Sequence, residues 1–426
     1  MKKIIYTFLF LVFVLSTAFA QESKNPDWLA KLIDIKFKPF AQIQMWAVYT
    51  DGMELFDADN SVYETVDNRL NFTLHRARYG FNAQPYPNLK FNFAFASDFV
   101  GRDALSALDP GQNNGANPFF RLWQTFLQLR LKSGKETAFL TTGYLAPRIG
   151  RESNTNPLRS TSMEKAWSQN YLRRHLVGTG PGRALGINLG GLFYKRGRAL
   201  SLKYDAGIFS PVTRSFGGNS TGKEAAVLVT GRTVISFGDP ESEKYTLGHL
   251  PNYFGNRTGI SIGLAVAAQG RTDLFKNSYT YGADFLVNFG QLNFDGDWHF
   301  LTRETTDGSQ TAEANTGYIR VSYNYHLKNG YVFEPTATLV QYNGHMDEQG
   351  QAAATDAGMP AGEDQHIDLG FNFYFNPDLK IALHYTLRDG DAGFVGDGST
   401  INNFFVTGAG PVRYGDWFGL GLNVIF

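Results

Sequence analysis

The chain has 426 residues with no cysteine, and its 39 basic residues are balanced by 39 acidic ones. The missing cysteine excludes a disulfide framework, a paired-cysteine metal site and a thioether lipid anchor; the charge balance excludes the global attraction to nucleic acid that a basic domain exerts. Six Trp, 21 Tyr and 36 Phe make the chain aromatic, yet beyond its first residues no apolar run approaches the ~20 residues that cross a bilayer as a helix.

Residues 1–20, MKKIIYTFLFLVFVLSTAFA, set Lys2 and Lys3 before an apolar run from Ile4 to Leu15 and end on Ala18-Phe19-Ala20. That is the pattern of a secretory signal peptide cleaved after Ala20, and the run is too short for a spanning helix. Cleavage leaves 406 residues, and the loss of Lys2 and Lys3 takes the basic residues to 37 against 39 acidic ones, a formal charge of −2. An exported, aromatic-rich chain without spanning helices is either a secreted β-protein or a membrane barrel whose apolar residues are hidden in alternation.

Alternation starts at Phe40–Thr50 and recurs at Leu200–Ser210, Ser278–Phe289, Leu292–Arg303, Gln365–Phe375, Leu379–Arg388 and Tyr414–Phe426. In YIRVSYNYHL, residues 318–327, Ile319, Val321, Tyr323 and Tyr325 take one parity and Arg320, Ser322, Asn324 and His326 the other. Period two with one greasy and one polar face is a β-strand between lipid or core and water, and about ten residues suffices for a tilted strand to cross a membrane. Short connectors at 85–89, 132–136, 196–199, 290–291, 328–330 and 376–378 alternate with long ones near 51–67, 101–118, 151–183, 211–224, 304–314, 344–364 and 389–412. Tight turns at one end and long loops at the other are the outer-membrane pattern, which a soluble sandwich has no reason to keep.

The expected fold is therefore all-β: a transmembrane antiparallel β-barrel of sixteen strands over residues 40–426, with residues 21–39 a short N-terminal periplasmic segment. Two connectors break the rule, since 239–256 is long where a turn is due and 270–277 is short where a loop is due. Pro335 must sit at a bulge or a strand start, because proline removes a ladder donor. The last strand places Phe418, Leu420, Leu422, Val424 and the terminal Phe426 on one face, which looks like the signal by which outer-membrane barrels are inserted.

Three stretches in order resemble the phosphate-selective porin O/P family, in particular its Bacteroidetes members. They are LHRARYGFNAQPYPNLKFNFAFASDF at residues 74–99, the arginine-rich run from GYLAPRIGRES to GPGRALGINLGG at 143–191, and NYFGNRTGISIG at 252–263. The resemblance implies an outer-membrane channel of a Gram-negative bacterium, commonly a homotrimer, with a sixteen-stranded barrel whose third loop folds into the pore and whose lysines and arginines favour anions. Its partners would be outer-membrane lipid and lipopolysaccharide and small anionic solutes such as phosphate, with no nucleic acid, no cofactor and no catalysis.

Counted along the strands, residues 151–183 are that third loop. Arg148, Arg151, Arg159, Lys165, Arg173, Arg174 and Arg183 stand there against only Glu152 and Glu164, a local charge of +5. Like charges about 4 Å apart repel by ~1 kcal/mol in water and by more near low-dielectric walls, so the cluster must be hydrated, paired across the barrel or occupied by anions. Parity puts Arg76, Arg78, Arg130, Lys203, Arg232, Arg303, Arg320, Lys380 and Arg388 on polar faces, together with Asp98, Asp205, Asp284, Asp295, Asp297, Glu334 and Asp368. Of these wall positions Arg76, Arg78, Arg130 and Arg320 join the loop cations as the expected anion pathway. Nine cations against seven anions is a mixed wall, and the loops at 51–67 and 345–364 carry six and five acidic residues with no Lys or Arg.

The mixed wall and acidic mouth leave open a general, non-selective porin, and a barrel enzyme or receptor without an open pore is a further alternative. The glycine-serine pattern GNSTG at 218–222 falls in an expected loop rather than a strand-to-helix elbow, so Ser220 reads as a solvated residue. GTGPGR at 178–183 lacks the endings of the phosphate-binding loops. Asp389, Asp391 and Asp397 lack the register and bidentate Glu of a calcium loop, and His299 beside Asp297 reads as a wall pair rather than the start of a hydrolase site. No metal site is expected.

Overall fold

A computed structural model describes residues 36–103, 105–106, 120–211, 223–393, 400–406 and 410–426. The expected signal peptide, Ser220 and Asp397 lie outside the described residues. Sixteen long strands follow one another: β1 Lys36–Asp51, β2 Arg69–Tyr86, β3 Leu89–Ala96, β4 Arg121–Arg130, β5 Phe139–Leu145, β6 Ala184–Phe193, β7 Leu200–Ser210 and β8 Leu228–Gly238, then β9 Gly259–Gln269, β10 Asn277–Phe289, β11 Leu292–Glu304, β12 Thr311–Tyr323, β13 Val332–Asn343, β14 Glu363–Asn376, β15 Leu379–Asp391 and β16 Asp416–Ile425. Each pairs antiparallel with its neighbours, and β1 closes the ring on β16, with Ile43 opposite Val424 and Thr50 opposite Trp417. Closure leaves no edge strand to aggregate or to carry unpaired backbone into lipid.

Side-chain alternation explains why these residues form a membrane wall. In β9, Ile260, Ile262, Leu264 and Val266 are exposed, while Ser261, Ala265 and Ala267 face in and are buried. Leu185, Ile187 and Leu189 of β6 and Leu420 of β16 continue the outer apolar surface. Such a band would be an aggregation hazard in water and is stable only against lipid. Near the short turns Tyr331, Phe333, Phe371, Phe373 and Phe375 meet in tilted and T-shaped pairs as part of an aromatic girdle.

Pro335 is at neither a bulge nor a strand start: it is the fourth residue of β13, where the ladder to β12 is interrupted. Pairing of β12 with β13 runs from Asn315 opposite Asn343 to Ser322 opposite Thr336, stops beside Pro335, and resumes in the same register at Tyr325 opposite Phe333. At the long-loop end four short strands, Glu54–Asp57, Val62–Thr65, Asn403–Val406 and Gly410–Arg413, join the first and last loops in a small separate sheet. Residues 344–362 contain a helix, Glu348–Asp356, whose Ala353 and Ala354 are buried, so this loop is not simply the acidic mouth that its composition suggested.

Candidate functional site: a divided bore

The third long loop, residues 146–183, leaves β5 and turns inward. It forms α1 Arg151–Asn154, a 3-10 turn at Pro157–Arg159 and α2 Ser168–Val177 before re-entering the wall at β6. Gly150 makes the inward bend at φ 74°, where a Cβ would stand 2.8 Å from Leu172 and 3.0 Å from His299. Gly182 in the GTGPGR stretch has φ 64° and lies against Arg173, which leaves no room for a side chain. The phosphate-loop look of that stretch is thus the requirement of a loop that must double back under its own arginine.

One face of the loop is greasy. Ile149, Trp167, Tyr171, Leu172, Leu176 and Val177 pack with Ala265, Leu301, Tyr318, Val340 and Tyr342 of the wall into a single buried cluster, and Tyr171 stacks on Tyr342 at 3.8 Å. Around this seam the wall carboxylates are consumed in buried pairs. Arg320 is sealed between Asp295 at 2.7 Å and Glu152 at 3.1 Å and also donates to Ser160 and Ser162. Arg151 reaches Glu241 at 2.6 Å and Asp284 at 3.2 Å. Glu164 takes Arg76 and His75, both at 2.6 Å. Arg159 donates to Pro377 O and the Asp378 carboxylate, which pins the loop's far tip to a short turn at the opposite end of the barrel.

Burial of a charge is tolerable only with a partner, and on the other face of the loop Arg148, Lys165, Arg173 and Arg183 make no ion pair among the described residues. That face borders a cavity of about 1330 Å³ whose lining runs from Ile401 and Tyr414 at the long-loop end to Asn82 and Lys203 near the short turns. Among the described residues lining it, twelve are Lys or Arg and two, Asp98 and Glu241, are acidic. Arg148, Lys165 and Arg173 are buried and donate to backbone carbonyls: Leu247 O at 2.6 Å, Thr155 O at 2.8 Å and Ser153 O at 2.6 Å. Half-buried Arg183 donates to Pro181 O at 2.7 Å. Burial, and then Arg78, push the Arg173 guanidinium down to about 9. An arginine stays protonated at neutral pH all the same, so Arg173 keeps its charge in a site where burial disfavours it, with Glu152 and Glu164 opposing only in part.

Trp123 organises part of this face. The guanidinium carbons of Arg78 and Arg183 each lie 3.7 Å from the centre of its ring. Two groups that close cannot share one face without overlapping, so the indole is sandwiched between them. Arg78 also meets Asp98 at 3.0 Å, an acceptor shared with Arg121 at 3.2 Å.

The sequence-derived cations therefore divide. Arg76, Arg78, Arg148, Arg159, Lys165, Arg173, Arg174 and Arg183 come together around the cavity, with Arg174 exposed. Arg151 and Arg320 lie beneath the loop, outside the lining, and Arg130 sits at the short-turn end, paired with Glu136 at 2.8 Å. Sequence reasoning missed Arg102, Arg121, Lys244 and Trp123. On β4 the register skips from Ala94 opposite Gln124 to Phe95 opposite Leu122, so Trp123 is the extra residue of a β-bulge. A bulge reverses parity beyond itself, which turns Arg121 and Trp123 inward. A like skip on β2 at His75 brings that residue to the same side as Arg76. His299 and Asp297 stand 3.8 Å apart and are sealed beneath the loop.

No protein-family model matches the chain, and no curated protein sequence does. Solved structures do. Pseudomonas putida OprB is similar with a TM-score of 0.54 and 10% identity, over 94% of this chain and 96% of that one. The outer membrane channel DcaP of Acinetobacter baumannii gives 0.53 and 14%, over 92% and 97%, and the anion-selective porin from Comamonas acidovorans gives 0.52 and 15%, over 92% and 100%. The chain has the porin fold. These similarities cover almost the whole barrel but do not reach to the phosphate-selective family in particular.

Proposed function

We propose that the chain is an outer-membrane porin of a Gram-negative bacterium through which small hydrophilic solutes diffuse passively, with a preference for anions set by the open face of the third loop. No bond is made or broken. Arg148, Lys165, Arg173 and Arg183, with Arg76, Arg78, Arg159 and Arg174 beside them, lower the barrier for a hydrated anion and raise it for a cation. The observation that carries this reading is the twelve-to-two excess of basic over acidic residues around the cavity. The chain as a whole has no charge excess at all, so the asymmetry is local and built by the fold. Phosphate is the solute that the resemblance of the arginine-rich stretches suggests, and a homotrimer is the assembly it suggests. The name of the Comamonas porin, anion-selective, is consistent with the same use of this fold.

Reversal potentials of the reconstituted barrel in a potassium chloride gradient test the preference. An anion-to-cation permeability ratio well above one, lowered by replacing Arg173 and Arg183, is the expected result. A ratio of one, unmoved by those replacements, would leave a general porin whose loop sets only pore size. Competition of phosphate with the chloride current separates a phosphate route from a route for anions at large.

A further inference from the structure

The connector between β8 and β9, residues 239–258, is long at the end where the other turns are short, and the passive-diffusion reading leaves it unused. It does not hang from the barrel. Tyr245 donates to the Asp205 carboxylate of β7 and stacks on Phe139 of β5 at 4.9 Å. A few residues on, Asn252 donates to Glu334 of β13 at 2.7 Å, and Phe254 meets Tyr374 of β14 edge-on at 5.0 Å. In the strand order β5 and β14 lie nearly opposite one another, so the segment from Tyr245 to Phe254 crosses the bore from wall to wall. Nine steps of extended chain reach ~30 Å, ample for such a span.

Midway, the crossing segment is fastened to the third loop. His249 N donates to Asn154 O at 3.3 Å, and His249 pairs with Thr155 in a parallel bridge. Five side chains then close a ring. Glu241 accepts from Arg151 at 2.6 Å, Arg151 and Arg232 both donate to Asp284 at 3.2 and 2.8 Å, Arg232 donates to His249 Nε2 at 3.0 Å, and His249 Nδ1 returns to Glu241 at 3.0 Å. Because Nε2 accepts from a guanidinium, His249 is neutral with its proton on Nδ1, which is the form that can donate to Glu241. Two members of the ring come from the connector, one from the loop and two from the wall.

We propose that residues 239–258 are a strap that forms the second half of the constriction, so that pore size is set jointly by the third loop from one end and by this connector from the other. Ser242, Lys244, Thr246, Leu247 and Leu250 line the cavity on the side facing the loop's arginines. The strap's Lys244 and its Glu241 both line the bore, the carboxylate paired with Arg151 at 2.6 Å. The proposal rests on the channel reading but not on the anion preference.

The test is single-channel current through the full-length barrel in planar bilayers. The chain has no cysteine, so Thr246→Cys, at an exposed lining position, gives one attachment point for a bulky methanethiosulfonate reagent. Labelling should cut the open-channel current by about half, and replacing 241–254 with a short glycine-serine turn should raise it about twofold. Complete labelling at residue 246, verified by mass, with unchanged current would overturn the strap even if the shortened barrel does not fold. A silent wild-type barrel would instead remove the channel reading beneath it.

Discussion

The lumen has two sides that use the same residue types to opposite ends. Under the third loop, Arg320 and Arg151 are matched by Glu152, Asp295, Asp284 and Glu241 and are fully covered. Across the loop's other face, Arg148, Lys165 and Arg173 are buried and donate to backbone carbonyls. A buried ion pair that is fully hydrogen-bonded fixes geometry, and breaking it is costly. A buried cation without a carboxylate retains an unspent attraction for whatever anion enters. The third loop is thus a partition: it covers Asp284 and Asp295 in buried pairs and leaves on its other face a cavity lined, among the described residues, by twelve basic and two acidic ones.

The sharpest way to break the comparison is on the covered side. Arg320→Met leaves Glu152 and Asp295 without the cation they share and should cost the folded barrel about 3–5 kcal/mol. The loss would appear as a lower temperature for the heat-induced mobility shift on gels. If the barrel is as stable as wild type, the pairs under the loop are not what holds the partition.

On the open side the expectation reverses. Arg173→Ala combined with Arg183→Ala removes cations that lack carboxylate partners, so thermal stability should hold or rise, while the anion-to-cation permeability ratio falls about threefold. Reversal potentials and the same gel shift, run on one preparation, check both halves. Trp123→Ala is milder, because it leaves every charge in place and removes only the platform between Arg78 and Arg183. A cation–π contact contributes about 1 kcal/mol, so the selectivity ratio should fall by less than in the double variant, with noisier open-channel current as the two guanidinium groups lose their fixed separation.

The barrel was legible in the sequence because period-two alternation and connector length report the same closed sheet. Leu200–Ser210 matches its strand end for end, and both the irregular connector at 239–256 and the awkward Pro335 are real features of the fold. The site was legible only in part. A list of inward residues by parity gives the charges but not who faces whom, so nine cations and seven anions read as a mixed wall. What separates them is tertiary: the greasy face of the loop, from Ile149 to Val177, chooses which arc of wall to cover, and with it which carboxylates are neutralised. Parity also fails wherever a strand holds an extra residue, which is why Trp123 was unreadable.

The smallest effect distinguishes the two sides by pH. Lys165 lines the bore, and burial together with the nearby Arg173 lowers its pKa well below the usual lysine value, although Glu152 pulls the other way. The bore loses one positive charge as pH rises through that depressed value, and from there to 10.5 the unfolded chain binds the extra proton, so stability rises with pH across the window. Arginines do not follow, since they remain protonated throughout. Anion preference should therefore decline modestly as pH is raised through that depressed value, levelling at a plateau still above one, and Lys165→Met should sit at that plateau at every pH. A titration that persists in Lys165→Met would move the responsible group to another lining residue. A flat wild-type profile would mean that water or a resident anion stabilises the charged lysine, and the open side would then be better solvated than the burial of its cations implies.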